Sequence, residues 1–273
     1  MVICKRFILK KESDELSKDN VFLKLKTDYI AKNIYFYEST DSTNTRALAE
    51  SKKNAPNGSL FIAESQTAGS GRMGKTWNSS KGKDILMSVL LYMDIPMTEI
   101  PKLTLITGFS VCKFLRCKIG IDAKIKWPND IVVGSKKLCG ILVKTSPSKK
   151  KTAVSVGIGI NVNSNSFSDD IAKKATSLYN ETGMKLNRCE LIADVLRYFE
   201  RDYFEFLKTY KIPINYNKLC CSINREVTAI QNGRNVTGIA IGIDQMGNLK
   251  VKCGGDIYII NSGEVLIQNI YDS

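Results

Sequence analysis

Four short stretches of the sequence gather glycines and side chains suited to holding anions. The first, Gly69-Ser70-Gly71-Arg72-Met73-Gly74-Lys75-Thr76, meets the pattern G-x-x-x-x-G-K-[ST] of an NTPase phosphate loop. Its surroundings argue against that fold. A phosphate loop joins a strand to the helix whose N-terminus holds the phosphates. Here Glu64-Ser65-Gln66-Thr67-Ala68 separates the apolar run from the first glycine, and Trp77-Asn78-Ser79-Ser80-Lys81-Gly82 starts a helix poorly. Asp94, after Leu90-Leu91-Tyr92-Met93, is a candidate second element and does not change that balance. A flexible Gly/Arg/Lys loop that closes over an anion fits better. The rival is a surface hairpin with solvated charges.

The second stretch, Lys126-Trp127-Pro128-Asn129-Asp130, sets a lysine before a strand-breaking proline and an amide and a carboxylate after it. The lysine suits phosphate and the carboxylate suits a metal-bound phosphate; a β-turn with an Asn-Asp tip explains the same letters. In the third, Lys137 opens the apolar run Leu138-Cys139-Gly140-Ile141, either as a solvated strand end or as a charge contact. The fourth, Gly157-Ile158-Gly159-Ile160-Asn161-Val162-Asn163, puts glycines inside a strand. That marks close approach of a ligand or another backbone, or tight sheet packing.

What is missing narrows the chemistry. The 273 residues contain no histidine, which excludes Ser-His-Asp and Cys-His catalysis and histidine-based zinc sites. Proton transfer must use carboxylates, lysines, cysteines, tyrosines or the substrate. An excess of 40 basic over 27 acidic residues leaves +13, read either as a solvated lysine-rich surface or as preference for an anionic partner such as a nucleotide, a nucleic acid or an acidic protein. Eight cysteines sit scattered with no C-x-x-C pair, as expected of reduced thiols in a cytoplasmic protein. No stretch approaches the ~18 apolar residues of a membrane span.

The elements that must position these groups follow from periodicity. Residues 1–34 read as a short leader. Ile34-Tyr35-Phe36-Tyr37 predicts a strand. Asp41-Ser42-Thr43-Asn44 opens a helix that runs through Ala47 to Pro56-Asn57-Gly58. Strands over 59–63 and 84–91 flank the Gly-rich loop, and helical spacing covers about 99–118. Short strands near Ile125-Lys126-Trp127 and Ile131-Val132-Val133 precede a turn at Gly134-Ser135, a strand from Lys137 to Val143, and a central strand from Ala153 to Ile160. A long helix over about 188–209 is capped by Asn187 with Glu190 as its capping-box partner. From 222 to 270, alternating strands turn at Asn232-Gly233, Met246-Gly247-Asn248, Gly254-Gly255 and Ser262-Gly263, which suits a small barrel. The fold class is α/β (α+β): a mixed sheet with packed helices over 35–215, then a small β module over 222–270.

In order and approximate spacing, Asp41-Ser42-Thr43-Asn44, Glu64 to Trp77, Lys126 to Asp130, Lys136 to Val143 and Gly157 to Asn161 resemble the biotin protein ligase family over about nine-tenths of the chain. The resemblance implies a catalytic domain followed by an SH3-like domain. It implies an enzyme that activates biotin with ATP to biotinyl-5′-adenylate and transfers biotin to a lysine of a biotin carboxyl carrier protein. On its pattern, Ser42, Thr43, Asn44 and Gln66 surround biotin, with Gly71, Arg72, Lys137 and Gly140 completing that pocket. Gly69, Ser70, Gly71, Arg72 and Lys75 form the adenylate loop, and Trp77 packs near the adenine. Lys126, Asn129 and Asn161 face the nucleotide, and Asp130 faces Mg²⁺. Lys137, Arg72 and Lys126 are the implied catalytic charges.

Two positions depart from the family pattern. The loop usually carries a basic residue where Ser70 stands, and Glu often follows Gly-Ile-Leu-Val where this chain has Lys144. Some family members add an N-terminal DNA-binding domain. About 34 residues precede the catalytic segment here, too few for a helix-turn-helix, so the expected partner is an acidic carrier rather than an operator. A cytoplasmic monomer or homodimer without a membrane contact is expected. The alternatives are a lipoate or octanoate ligase of the same fold, which needs an extended apolar tunnel, and a basic nucleic-acid-binding module. The latter would use aromatics on the C-terminal strands, where Tyr258 is the single aromatic between Ile223 and Ile270.

Overall fold

In the computed structural model, which describes residues 15–147, 151–231, 234–261 and 265–267, seven strands join into one mixed sheet. They are β1 (Ile34–Tyr37), β2 (Leu60–Ala63), β3 (Ile85–Met93), β4 (Ala123–Lys126), β5 (Asp130–Val133), β6 (Lys136–Ser146) and β7 (Thr152–Ile160). Their spatial order is β1-β2-β3-β7-β6-β5-β4. β1 and β2 run parallel, so the chain must cross over between them, and the helix α2 (Thr43–Ser51) is that crossover. The other neighbouring pairs are antiparallel. Here α1 is the short helix Lys18–Lys24.

The sheet has two unlike faces because β7 alternates strictly. Val154, Val156, Ile158 and Ile160 point to one side, where they join Leu103, Ile106 and Phe114 of α3 (Lys102–Phe114) and Leu191, Val195 and Phe199 of α6 (Arg188–Thr209) in the main core. Ala153, Ser155, Gly157 and Gly159 point to the other side, which α2 covers in part. There Ala47, Phe61, Leu90 and Ala153 form a small separate cluster. The Asn187 side chain accepts from Glu190 N at 3.0 Å at the start of α6, as the sequence predicts, while the Glu190 carboxylate pairs with Lys24 at 3.1 Å.

The leader is corrected in its second half. Leu16, Val21, Ile30 and Ala31 are buried in the main core, and α1 packs on α6. The Glu200 carboxylate accepts from the N–H groups of Asp28, Tyr29 and Ile30 at 2.7, 2.8 and 2.6 Å, so α6 holds this segment directly. Its charged positions hide a narrow apolar stripe too short to show a period. Residues 1–14 lie outside the described residues. Other differences are local. α3 continues into a wider π-helical turn, Leu115–Ile119, closed by Gly120 at φ 81°, so the helical stretch ends close to where its spacing predicts. β6 runs on to Ser146. Short helices α4 (Asp169–Ala172), α5 (Leu178–Thr182) and α7 (Tyr216–Leu219) were too brief to predict.

The C-terminal strands β8 (Glu226–Gln231), β9 (Arg234–Ile243), β10 (Leu249–Cys253), β11 (Asp256–Ile260) and β12 (Val265–Ile267) form a second sheet in the order β11-β10-β9-β8-β12, antiparallel throughout. The predicted turns at Gly247 (φ 88°) and Gly254 (φ 59°) are present, each in the left-handed conformation that glycine adopts at little expense. The turns expected at Asn232-Gly233 and Ser262-Gly263 lie outside the described residues. Among the described residues no helix is long and apolar enough to cross a membrane.

Candidate active site

The small-residue face of the sheet carries the site. Antiparallel partners point the same way, so each step along β7 builds a row across three strands. Gly159 stands between Gly140 and Leu86, Gly157 between Leu142 and Ser88, and Ser155 between Lys144 and Leu90. The glycines leave room for side chains that descend from above. A Cβ on Gly157 would lie 2.3 Å from Asn44 Nδ2, and one on Gly159 or Gly140 would lie 2.6 or 2.8 Å from the Trp77 ring. The close approach that the strand glycines signal is thus made by side chains of the site itself.

A buried polar network fixes the first turn of α2. Gln66 Oε1 accepts from Thr43 N at 2.8 Å and from Thr43 Oγ1 at 3.2 Å. Asn44 Nδ2 donates to Leu142 O at 3.1 Å, and Ser155 Oγ donates to Asn44 Oδ1 at 2.6 Å. The Ser88 hydroxyl lies 2.8 Å from Thr43 Oγ1 and 3.2 Å from Asn44 Oδ1. Ser42 caps α2 without a side-chain bond of its own; Asp41 Oδ1 accepts from Ser42 N at 2.7 Å instead. Burial works to raise the Asp41 carboxyl, but bonds from Ser42, Thr40 and Arg46 outweigh it and hold it below the usual range.

The Gly-rich loop is a hairpin. Ser70 and Thr76 form an antiparallel bridge, Trp77 N donates to Gly69 O at 2.9 Å, and Gly71 N donates to Lys75 O at 2.6 Å. Its tip, Arg72–Gly74, places Met73 at φ 53° and Gly74 at φ 74°. Arg72 Nη1 donates to Asn129 Oδ1 at 3.2 Å. Gly69 lines neither of the two cavities described below; its place is conformational, since a Cβ there would meet Trp77 O at 2.6 Å. Two buried carboxylates, which sequence reasoning missed, anchor the ends of the segment that carries this hairpin. Glu64 takes a two-pronged pair from Arg188 at 2.7 and 3.0 Å. Asp84 accepts from Ser80 N, Val162 N and Ser164 Oγ; burial pushes its carboxyl above the ordinary value, and those bonds and Arg188 pull it back. The signal was present as a charge at each end of an apolar run, Ile62-Ala63-Glu64 and Asp84-Ile85-Leu86.

β4 ends at Lys126, where the proline stops it as expected. Lys126 is buried, and Trp127 is tied beyond the sheet while still bordering the larger cavity: its indole N–H donates to Gly247 O at 3.0 Å, and its backbone N–H donates to Ser222 Oγ at 3.0 Å. This segment therefore also ties the two sheets together, a role that a buried tryptophan needing an acceptor suits. Lys137 pairs with Asp130 at 2.7 Å, and its ammonium sits 5.4 Å from the centre of the Trp77 ring. Asn129 Nδ2 donates to Asp130 Oδ1 at 3.0 Å. The Asn161 amide donates to Thr176 O at 2.9 Å.

These groups line two cavities that share a wall. The smaller, about 50 Å³, takes in Ser42, Thr43, Asn44, Gln66, Ser70 and Gly140. The larger, about 430 Å³, takes in Arg72, Lys75, Lys126, Asp130 and Asn161. Gly71, Trp77, Asn129 and Lys137 line both. Arg72, which the resemblance sets beside both substrates, lines the larger cavity alone. The larger cavity also borrows Val265 and Leu266 from the C-terminal sheet and Phe167 and Lys174 from the segment after β7, none of which the sequence singled out. Trp77 Nε1 is buried between the cavities with no acceptor among the described residues. A small cavity of mixed polar and apolar lining beside a larger cationic one can bring a carboxylate and a phosphate together at Lys137.

Comparison with known proteins places this geometry. Residues 36–161 match the biotin/lipoate A/B protein ligase family, and residues 222–267 match the biotin protein ligase C terminal domain. The chain is 34% identical over 266 residues to the bifunctional ligase/repressor BirA of Bacillus subtilis, covering 96% of this chain and 82% of that one. It is 29% identical to the biotin--[acetyl-CoA-carboxylase] ligase of Mycobacterium tuberculosis, covering 83% of this chain and 86% of that one. Among solved structures it resembles the biotin protein ligase of Aquifex aeolicus in complex with biotin and ATP, with a TM-score of 0.75 at 30% identity over 87% of this chain and 99% of that one. The order of motifs, the mixed sheet with its C-terminal sheet and the overall likeness agree: the chain belongs to the biotin protein ligase family.

Proposed function

We propose that the protein activates biotin with ATP in the paired cavities and passes it to a lysine of a biotin carboxyl carrier domain in the cytoplasm. The observation that carries the reading is the shared wall. Lys137 borders both the small cavity and the large cationic one, so the carboxylate of a ligand in the first meets a phosphate in the second at that ammonium. Ser42, Thr43, Asn44 and Gln66 present the amides and hydroxyls that a cyclic urea would bond. Lys126, Arg72, Lys75 and Asn129 face the nucleotide, and Asn161 forms part of its floor.

In the first half-reaction a carboxylate oxygen of biotin attacks the α-phosphorus of ATP. The bond to the β-phosphate oxygen breaks and pyrophosphate leaves. Negative charge grows on the phosphate oxygens, and fixed cations at Lys137, Lys126 and Arg72 stabilise it without reorganising. In the second, the carrier amine attacks the carbonyl carbon of the mixed anhydride, the bond to the phosphate oxygen breaks, and AMP leaves as the amine sheds a proton. No histidine is required. Among the described residues no cluster of three acidic or thiol side chains exists to hold a metal. The single carboxylate Asp130 fits Mg²⁺ that keeps waters and phosphate oxygens as its other ligands. Mg²⁺ supplies charge neutralisation of the phosphates when bound.

The small cavity, about 50 Å³ as it stands, lies well below the ~300 Å³ of an ordinary ligand site. Entry of the biotin rings therefore moves Trp77 and the hairpin, and their return shields the anhydride from water. The reading is tested by pyrophosphate exchange into ATP with biotin, with lipoate and with neither, followed by the mass of a carrier domain after incubation with biotin, MgATP and the protein. Exchange that is dependent on biotin and a single biotin mass increment are expected; exchange with lipoate alone would overturn it.

A further inference from the structure

One contact of the hairpin plays no part in the scheme above. Lys144 Nζ donates to Ser70 Oγ at 2.9 Å. Ser70 lines the small cavity, and Lys144 continues the row of β6 residues, Gly140 and Leu142, that forms its floor. Across the sheet Lys144 stands opposite Ser155, whose hydroxyl holds Asn44. Lys144 is half-buried and its ammonium reaches a residue that lines the small cavity, and among the described residues no carboxylate pairs with it. Arg72 grips the same hairpin from the large-cavity side through Asn129. The hairpin is thus held at both flanks by a cation, one on the strand and one on the loop.

Ser70 and Lys144 are also the two positions where this sequence departs from the family pattern, and the fold brings them into contact. Where the family pattern sets a basic residue in the loop and a Glu on the strand, this chain sets a hydroxyl and a cation, and the two touch. We infer that Lys144 is a positioning residue that latches the Gly-rich hairpin through Ser70 and returns to the small-cavity rim the positive charge that the loop lacks. With glycines at 69, 71 and 74 the hairpin is expensive to order. A tie made before ligand arrives lowers the entropy still to be lost on closure. On the biotin ligase reading, which this consequence rests on, the latch keeps the adenylate in place between the two half-reactions.

Two measurements on the full chain test it, and one does not depend on the reaction. Without ligand, trypsin cleavage after Arg72 and Lys75 should run about 3–10-fold faster in Ser70→Ala and Lys144→Ala than in wild type, the net worth of one partly exposed hydrogen bond. Release of adenylate formed from biotin and MgATP should accelerate by a similar factor in either variant, and no further in the double variant. Ser70→Arg alone sets two cations face to face and should release fastest. The exchanged pair Ser70→Arg with Lys144→Glu should return release to the wild-type rate, a rescue that mere packing does not give. Wild-type digestion and release in both alanine variants overturns the latch, as does a double variant in which the two effects multiply. Faster digestion in a protein whose wild type makes no adenylate leaves the latch standing and removes the reaction assigned to it.

Discussion

Ile158 and Gly159 are neighbours in β7 and belong to different parts of the molecule. Ile158 points into the core between sheet and helices and is buried by Met87 and Ile141 on the flanking strands. Gly159 points the other way, under the Trp77 ring. On the first face the sheet asks for bulk, and Cys139, Ile141, Val143, Val154, Val156 and Ile160 supply it. On the second it asks for absence of bulk, because the functional side chains arrive from α2 and the hairpin and need the space. One strand thus serves as structural wall and as site floor. The two duties separate by the parity of residue number, so each can be damaged without the other.

The sharpest way to break this comparison is to exchange the duties. Gly159→Val suits a strand by propensity, but its Cβ would press on Trp77 at 2.6 Å and displace the wall shared by both cavities. Exchange should fall by more than about 10³-fold, the upper end of what one preorganised element supplies, while urea unfolding shifts by no more than ~1–3 kcal/mol. Ile160→Ala, on the core face and lining neither cavity, should do the reverse: a loss of ~2–5 kcal/mol in stability, with exchange per folded molecule close to wild type. If Ile160→Ala silences the folded fraction, or Gly159→Val leaves exchange intact, the two faces do not divide the labour as described.

Next in size is Lys137→Ala. The ammonium borders both cavities and is fixed by Asp130 at 2.7 Å. Removing it should slow adenylation by roughly 10²–10³-fold, the scale for one preorganised charge. Because the pair is partly exposed, stability should change by no more than ~1 kcal/mol. Rapid-quench measurement of adenylate formation decides it. A rate near wild type would leave Lys137 as the solvated strand end that its sequence position equally allows.

How much of this was legible in the sequence depends on which face one asks about. The strands announce themselves through β-branched runs, and the alternation in Val154-Ser155-Val156-Gly157-Ile158-Gly159 was already a statement of two faces. The five motifs could be ordered along the chain, but nothing in their spacing told that Lys144 would meet Ser70, which lies 74 positions away. Ser88 and Ser155 passed unnoticed because a lone serine within an apolar strand has no period; only its partners on α2 give it meaning. Trp127 carries no assignment within its motif, and its N–H groups bond Ser222 and Gly247 beyond the first sheet, partners that no local spacing reveals. The leader was misjudged because α1 has seven residues, fewer than two turns' worth of pattern.

Arg72→Gly tests the boundary between the cavities with a smaller effect. Arg72 lines the large cavity and not the small one, so affinity for biotin alone should hold. Loss of its bond to Asn129 and of its charge over the nucleotide should release adenylate about 10–100-fold faster, as for one or two hydrogen bonds of a charged group. Freed adenylate acylates bystander lysines. Labelling a mixture of carrier and an unrelated protein should show biotin on both, where wild type marks the carrier. Equal retention and carrier-only labelling would move Arg72 out of the adenylate site.

The smallest expected effect asks whether the site face has structure of its own below the functional side chains. Ser155 donates to Asn44 Oδ1 at 2.6 Å and so sets the direction in which the Asn44 amide points. Ser155→Ala removes that bond, while Asn44 Nδ2 keeps Leu142 O and Oδ1 keeps Ser88. The net worth of one such bond is ~0.5–1.5 kcal/mol. If Asn44 contacts biotin through that amide, the variant should raise the KM for biotin about 2–10-fold. The kcat should stay, because the loss falls on a contact made equally in ground state and transition state. Val156→Ala, one residue along and on the core face, should leave that KM unchanged while lowering stability. The contrast fails if both substitutions shift the KM alike, or if Ser155→Ala lowers kcat instead, since the serine would then act on the chemistry and not through the orientation of Asn44.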